Sequence, residues 1–311
     1  SAPTVVSPFI KTQDISLFEQ LNRGVRFIDL RIGIVDGKLR MFHDSYQLSD
    51  TILLENIFWG LYYWLDQNPT ETILVSLKVD DGDTTASLQQ QVYDLMNGPE
   101  VTDYWVKNIT LPTLGEARHK LIPILRLGMN SNDIQGYQPF GINVFRWKDN
   151  NPSFSVSYVF DGDRNPIQTV YVQDLYDPDQ DTEKEALAKK YEVMTALLNR
   201  SMSTGFENTD KWFISFASGY NGVLTTPKNF ALGSTLPTKT TGMNPRTKSY
   251  LAANRGAYFG VVMFDYIGSD QGLINATLGW ETTSWGATTV RFAHSAVYAP
   301  LFAFLALAFA S

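Results

Sequence analysis

Short apolar runs in this chain end, again and again, on side chains able to do chemistry. Residues 25–30 deliver Asp29 and Arg31, 39–42 deliver His43, and 73–77 deliver Lys78. Further on, 121–125 lead to Arg126, 169–172 to Asp174 with Tyr176 just beyond, and 258–264 to Asp265. Cations of this kind hold an anionic group, and the planar fork of arginine suits phosphate oxygens. Carboxylates and a phenol grip a polyol through its hydroxyls, and histidine supplies acid–base function near neutral pH. Together the set points to a phosphate ester of a sugar-like alcohol. No HExxH, EF-hand loop or P-loop is present, which leaves a zinc protease or a nucleotide kinase without support.

Such residues must be positioned by strands, because in parallel β/α architectures the strands are buried and chemistry gathers at their carboxyl ends. The intervening segments read as helices. Ser49 or Asp50 caps one whose apolar stripe is Leu53, Ile57, Leu61 and Leu65, with Asn68-Pro69 as its stop. Residues 85–96 and 180–199 read as two more, and Asn244-Pro245 as the start of another. Alternation of strand and helix implies a parallel sheet, and 311 residues suit one closed barrel. The expectation is an α/β fold, an irregular (β/α)8 TIM-type barrel over residues 1–280. The irregularity falls at 128–166, which is rich in Pro, Gly and Asn and lacks a helix pattern. The acidic cluster Asp80, Asp81 and Asp83 reads as a solvated turn.

A net charge of −7 with no basic patch argues against nucleic acid as a partner. The absence of cysteine excludes disulfides, thiolate metal sites and cysteine nucleophiles. Residues 281–311 form a separate unit: small residues around 284–288, a polar spacer, and an uncharged hydrophobic stretch over 295–310. That pattern fits a GPI-anchor signal better than a membrane span, which needs about 20 apolar residues. An amphipathic C-terminal barrel helix is the alternative. Sequons at Asn108, Asn199 and Asn275 are compatible with a secreted or cell-surface glycoprotein.

At these residues the sequence resembles a known family. The runs FIDLR, FHDS and LDQNPTETILVSLK are similar to the X-domain of phosphatidylinositol-specific phospholipase C, most of all its metal-independent bacterial type. LIPILR, VYVQD-x-Y and VVMFDY extend the similarity along the chain. The resemblance implies a PLC-like phosphodiesterase that needs no cofactor or metal and acts on a phosphoinositide lipid at a membrane surface, with no protein partner implied. It implies that Arg31, paired with Asp29, stands where calcium-dependent relatives carry a metal ligand, and that His43 is the general acid. It further implies that Lys78, Arg126, Asp174 and Tyr176 contact inositol and that Asp265 partners a general-base histidine. The family carries that base in a Gly-Thr-His-Asp-Ser-like segment ahead of the Arg31 position. The histidines here are His43, His119 and His294, none of them there, so the expectation is that the first strand and its histidine are missing from the N-terminus as given and that a barrel edge is left open. Two alternatives follow: a non-catalytic, lipid-anchored protein that binds phosphoinositol or glycan, and a calcium-dependent glycerophosphodiesterase on the same barrel.

Overall fold

The computed structural model describes residues 8–160, 165–235, 239–279 and 303–306. Helix α1 (Leu17–Arg23) leads into β1 (Phe27–Val35), β2 (Lys38–His43) and β3 (Tyr46–Gln47), and α2 (Leu54–Gln67) precedes β4 (Thr72–Val79). Then come α3 (Ala86–Asn97), α4 (Leu114–Ala117), β5 (Lys120–Leu125), β6 (Ile142–Asn143), β7 (Asn151–Phe160) and β8 (Pro166–Asp174). The last part runs α5 (Glu183–Thr204), β9 (Lys211–Phe216), α6 (Pro227–Leu232), α7 (Met243–Ala253), β10 (Gly260–Met263), α8 (Gln271–Leu278) and β11 (Ala303–Ala306). One sheet has the order β3-β2-β1-β4-β5-β6 and the other β11-β10-β9-β8-β7.

The barrel interior follows from strand alternation, since residues two apart share a face. Phe27, Leu74, Ile122, Ile124, Val170, Val172, Trp212, Ile214, Val261 and Met263 form one apolar cluster that draws on both sheets. The opposite faces of β1, β4 and β5 pack under α2 and α3 through Leu30, Ile32, Val75, Leu77 and Leu121. The fold is therefore the irregular α/β barrel expected, but its sheets are mixed rather than parallel throughout. β1 pairs antiparallel with β2, and β7 with β8. The first reversal is dictated locally. Asp36 and Gly37 both take positive φ between the paired Val35 and Lys38, the geometry of a tight hairpin for which Asp-Gly is suited.

Helix boundaries differ modestly from expectation. The N-cap position of α2 falls on Leu53, and the Ser49 hydroxyl instead accepts the backbone N–H groups of Thr51 and Ile52. α5 begins only after Thr182, whose hydroxyl accepts from the Glu185 N–H. The open edge expected beside β10 carries a strand: β11 pairs with β10 in parallel and lies against β1. The rest of the anchor-like segment, 281–302 and 307–311, lies outside the described residues. Among the described residues no helix is long and apolar enough to cross a membrane.

Candidate active site

The alternation that fills the barrel also builds the site, because each inward series ends on a polar side chain. Phe27 is followed by Asp29 and Arg31, Leu74 by Ser76 and Lys78, Ile122 and Ile124 by Arg126, Val172 by Asp174, and Met263 by Asp265. The parallel register of β1 and β4 sets Asp29 beside Ser76 and Arg31 beside Lys78. A cavity of about 570 Å³ opens above them, lined among others by Asp29, Arg31, His43, Lys78, Asp174, Tyr176 and Asp265. Seven of the eight residues singled out in the sequence thus meet in one place. The eighth, Arg126, lies under the floor with its side chain 2% exposed.

Arg31 is held from two sides. Its Nε and Nη2 donate to Asp29 Oδ2 at 2.9 and 2.6 Å, and its Nη1 donates to Asp80 Oδ1 at 3.1 Å. Ser76 Oγ donates to Asp29 Oδ1 at 2.7 Å. Burial pushes the Asp29 carboxyl up, but Arg31, Arg126 and the Ser76 hydroxyl outweigh it, so the group stays ionised well below the ordinary range. Arg31 is likewise drawn down by burial and then more strongly up by Asp29, Asp80 and Asp174. The result is a permanent, oriented guanidinium at the cavity wall.

Asp80 is a correction to the sequence reading. Its side chain is only 6% exposed, and it bridges Arg31 and Lys78, whose Nζ is 3.0 Å from Oδ1. It also accepts the Asp44 N–H at 3.1 Å. The signal was available, because Leu74, Ser76, Lys78 and Asp80 continue one alternation past the strand end. The loop before β7 supplies residues that no sequence pattern flagged. Trp147 donates from Nε1 to Asp174 Oδ2 at 2.7 Å and lies 4.3 Å from the Arg126 guanidinium. Asp149 accepts from the Tyr176 hydroxyl at 2.6 Å and stands 3.5 Å from Lys78 Nζ.

His43 turns its Nδ1 to the Ile10 carbonyl at 2.7 Å, which fixes the proton on that nitrogen and leaves Nε2 for the cavity. Burial, with the Arg31 charge, holds its pKa below the ordinary histidine value despite the Ile10 carbonyl and the nearby Asp80 and Asp44. Just past β10, Asp265 is buried and accepts a long hydrogen bond, 3.4 Å, from Gly219 N–H. Burial pushes its carboxyl up to about 7. Gly219 itself lies close to the Tyr176 carbonyl, from which a Cβ would stand only 2.6 Å. Burial also raises Asp174, against the pull of Arg126 and Arg31. Among the described residues no histidine hydrogen-bonds to Asp265.

The strands form an α/β barrel with a polar, arginine-centred cavity at their ends, and comparison with known proteins shows what it is similar to. The PI-PLC X domain (PI-PLC X 1) matches residues 2–105. A 1-phosphatidylinositol phosphodiesterase of Staphylococcus aureus (strain Newman) is 25% identical over 285 residues, covering 85% of this chain and 78% of that protein. An uncharacterized secreted protein of Arthroderma benhamiae is 29% identical over 127 residues, covering 35% of this chain and 27% of its own length. The phosphatidylinositol-specific phospholipase C structure from S. aureus superposes with a TM-score of 0.69, at 24% identity and 88% coverage of both chains. The chain is therefore similar to the PI-PLC X domain over residues 2–105 and to a bacterial 1-phosphatidylinositol phosphodiesterase over most of its length. The resemblance read from the sequence is borne out.

Proposed function

We propose that this protein cleaves the phosphodiester of phosphatidylinositol, or of a glycosylated phosphatidylinositol, with release of diacylglycerol and a cyclic inositol phosphate. The observation that carries this reading is the doubly braced Arg31 beside Lys78 and His43 at one cavity wall. The inositol 2-hydroxyl attacks phosphorus and gives up its proton to solvent, Arg31 neutralises the developing charge, and the bond to the glycerol oxygen breaks as protonated His43 delivers its Nε2 proton to that oxygen. Lys78, Tyr176 and Asp174 face the cavity where ring hydroxyls would sit, and Arg126 steadies Asp29 and Asp174 from below. Asp265, its carboxyl pushed up to about 7 by burial, lines the same cavity.

Exposed apolar side chains suit a lipid substrate. Phe9 and Tyr46 line the cavity mouth, and Val223, 89% exposed, lies with Leu224 on the loop that bears Gly219 and Tyr220. The secreted Arthroderma relative and the exposed sequon residues Asn108 and Asn199 support an extracellular glycoprotein. One observation favours a second reading, a binding protein without turnover: no described histidine partners Asp265. Incubation with phosphatidylinositol vesicles in the presence of chelator, followed by 31P NMR, separates the two. Appearance of a cyclic inositol phosphate supports catalysis. Vesicle binding without product supports the binding reading, and a strict calcium requirement removes Arg31 from its role.

A further inference from the structure

Lys190 is the one lysine among the described residues that is fully buried, at 0% exposure. It sits on the inner face of α5, in line with Leu187 and Met194, where the surroundings are apolar. An apolar side chain would fill that position without the cost of desolvating an ammonium. Its Nζ instead reaches the Leu175 carbonyl at 2.6 Å, in the residue between Asp174 and Tyr176. Two site carboxylates act on it from different elements: Asp174 at the end of β8 and Asp265 just past β10.

We propose that Lys190 is a positioning residue of this site: its ammonium pins residues 174–176 through the Leu175 carbonyl and supplies the buried positive charge shared by Asp174 and Asp265. The effect on turnover rests on the phosphodiesterase reading above. The charged groups around the pair are few. Arg126 and Arg31 reach Asp174 from the β5 and β1 side, and Lys190 is the cation that acts on Asp265. Burial pushes the Lys190 ammonium down to about 7 against the pull of both carboxylates, and burial pushes Asp265 up to about 7. Loss of the lysine charge removes a group that, with the Gly219 N–H, favours the ionised form of Asp265.

Two variants separate tether from charge. Lys190→Met loses both, whereas Lys190→Gln keeps an N–H for the Leu175 carbonyl. The carboxyl 13C titrations of Asp174 and Asp265, assigned with Asp174→Asn and Asp265→Asn, are followed alongside the pH profile of kcat/KM on phosphatidylinositol vesicles. In both variants the Asp265 midpoint should rise by about one pH unit or more, and the acidic limb of kcat/KM should move with it. The methionine variant should also show the larger rise in KM. Unmoved carboxyl midpoints with a lowered Tm would overturn the proposal, as would collapse of the fold in both variants, since either marks the lysine as structural. If the wild-type protein cleaves no phosphatidylinositol, the phosphodiesterase reading fails while the carboxyl titrations still decide the role of Lys190.

Discussion

At the scale of single residues, the account turns on how Arg31 and His43 are loaded. Arg31 is oriented by Asp29 and Asp80 before any substrate arrives, so it has little to reorganise as charge builds on the phosphate. Arg31→Ala should therefore lower kcat/KM at least about a hundredfold, on the order of 3 kcal/mol, with cleavage by the wild-type insensitive to chelators. His43 must carry a second proton to act as an acid, and its pKa is held low by burial. The titration of His43, followed by the proton NMR signal of its Cε1–H, should show a midpoint below the ordinary histidine value of about 6.5. His43→Ala should also hurt an alkoxide leaving group far more than an activated phenolate, because a good leaving group needs little protonation. Equal losses on both substrates would assign His43 to binding.

At the scale of elements, strands place the charged groups and one loop finishes the site. Trp147 joins the two halves: it donates to Asp174 and covers Arg126, so it holds a buried carboxylate and a buried guanidinium together. Trp147→Phe removes the hydrogen bond and should raise KM by roughly tenfold, the cost of one bond to a charged group, about 1.5 kcal/mol. An unchanged KM would confine Trp147 to packing. The strands and their terminal residues were legible in the sequence because apolar alternation has a period of two and each series stops on a charge. Asp80 followed the same rule one step further. Lys190 was legible only as part of the 180–199 helix, although it is the cation on the buried stripe of α5. Trp147 and Asp149 were not legible, since an irregular loop has no period and their partners, at the end of β8 and just past it, lie 27 residues away. The antiparallel hairpin carried its Asp-Gly signal, but strand–helix alternation alone implied a parallel sheet.

At the scale of the whole molecule, the barrel depends on how the slot between β10 and β1 is filled. β11 fills it here, and a chain ending at residue 280 would expose two strand edges. Such a chain should melt several degrees lower and associate more readily than residues 1–311; equal Tm values would leave the tail free to serve as a removable anchor signal. Asp265 adds a pH dependence. Its folded pKa lies above the ordinary carboxylate value, so its contribution to stability is present below about pH 4 and is lost as pH rises through about 7. Asp265→Asn should therefore gain Tm relative to wild type steadily across that window, and a pH-independent difference would contradict the burial argument. The cavity itself offers the most direct test of the central claim, that a hydroxyl of the bound head group attacks its own phosphate. Phosphatidylinositol methylated at the inositol 2-hydroxyl should bind and compete with substrate, yet release no diacylglycerol, while the unmodified lipid yields a cyclic phosphate. Release of diacylglycerol from the methylated lipid at a comparable rate would mean that water is the nucleophile and would contradict this account.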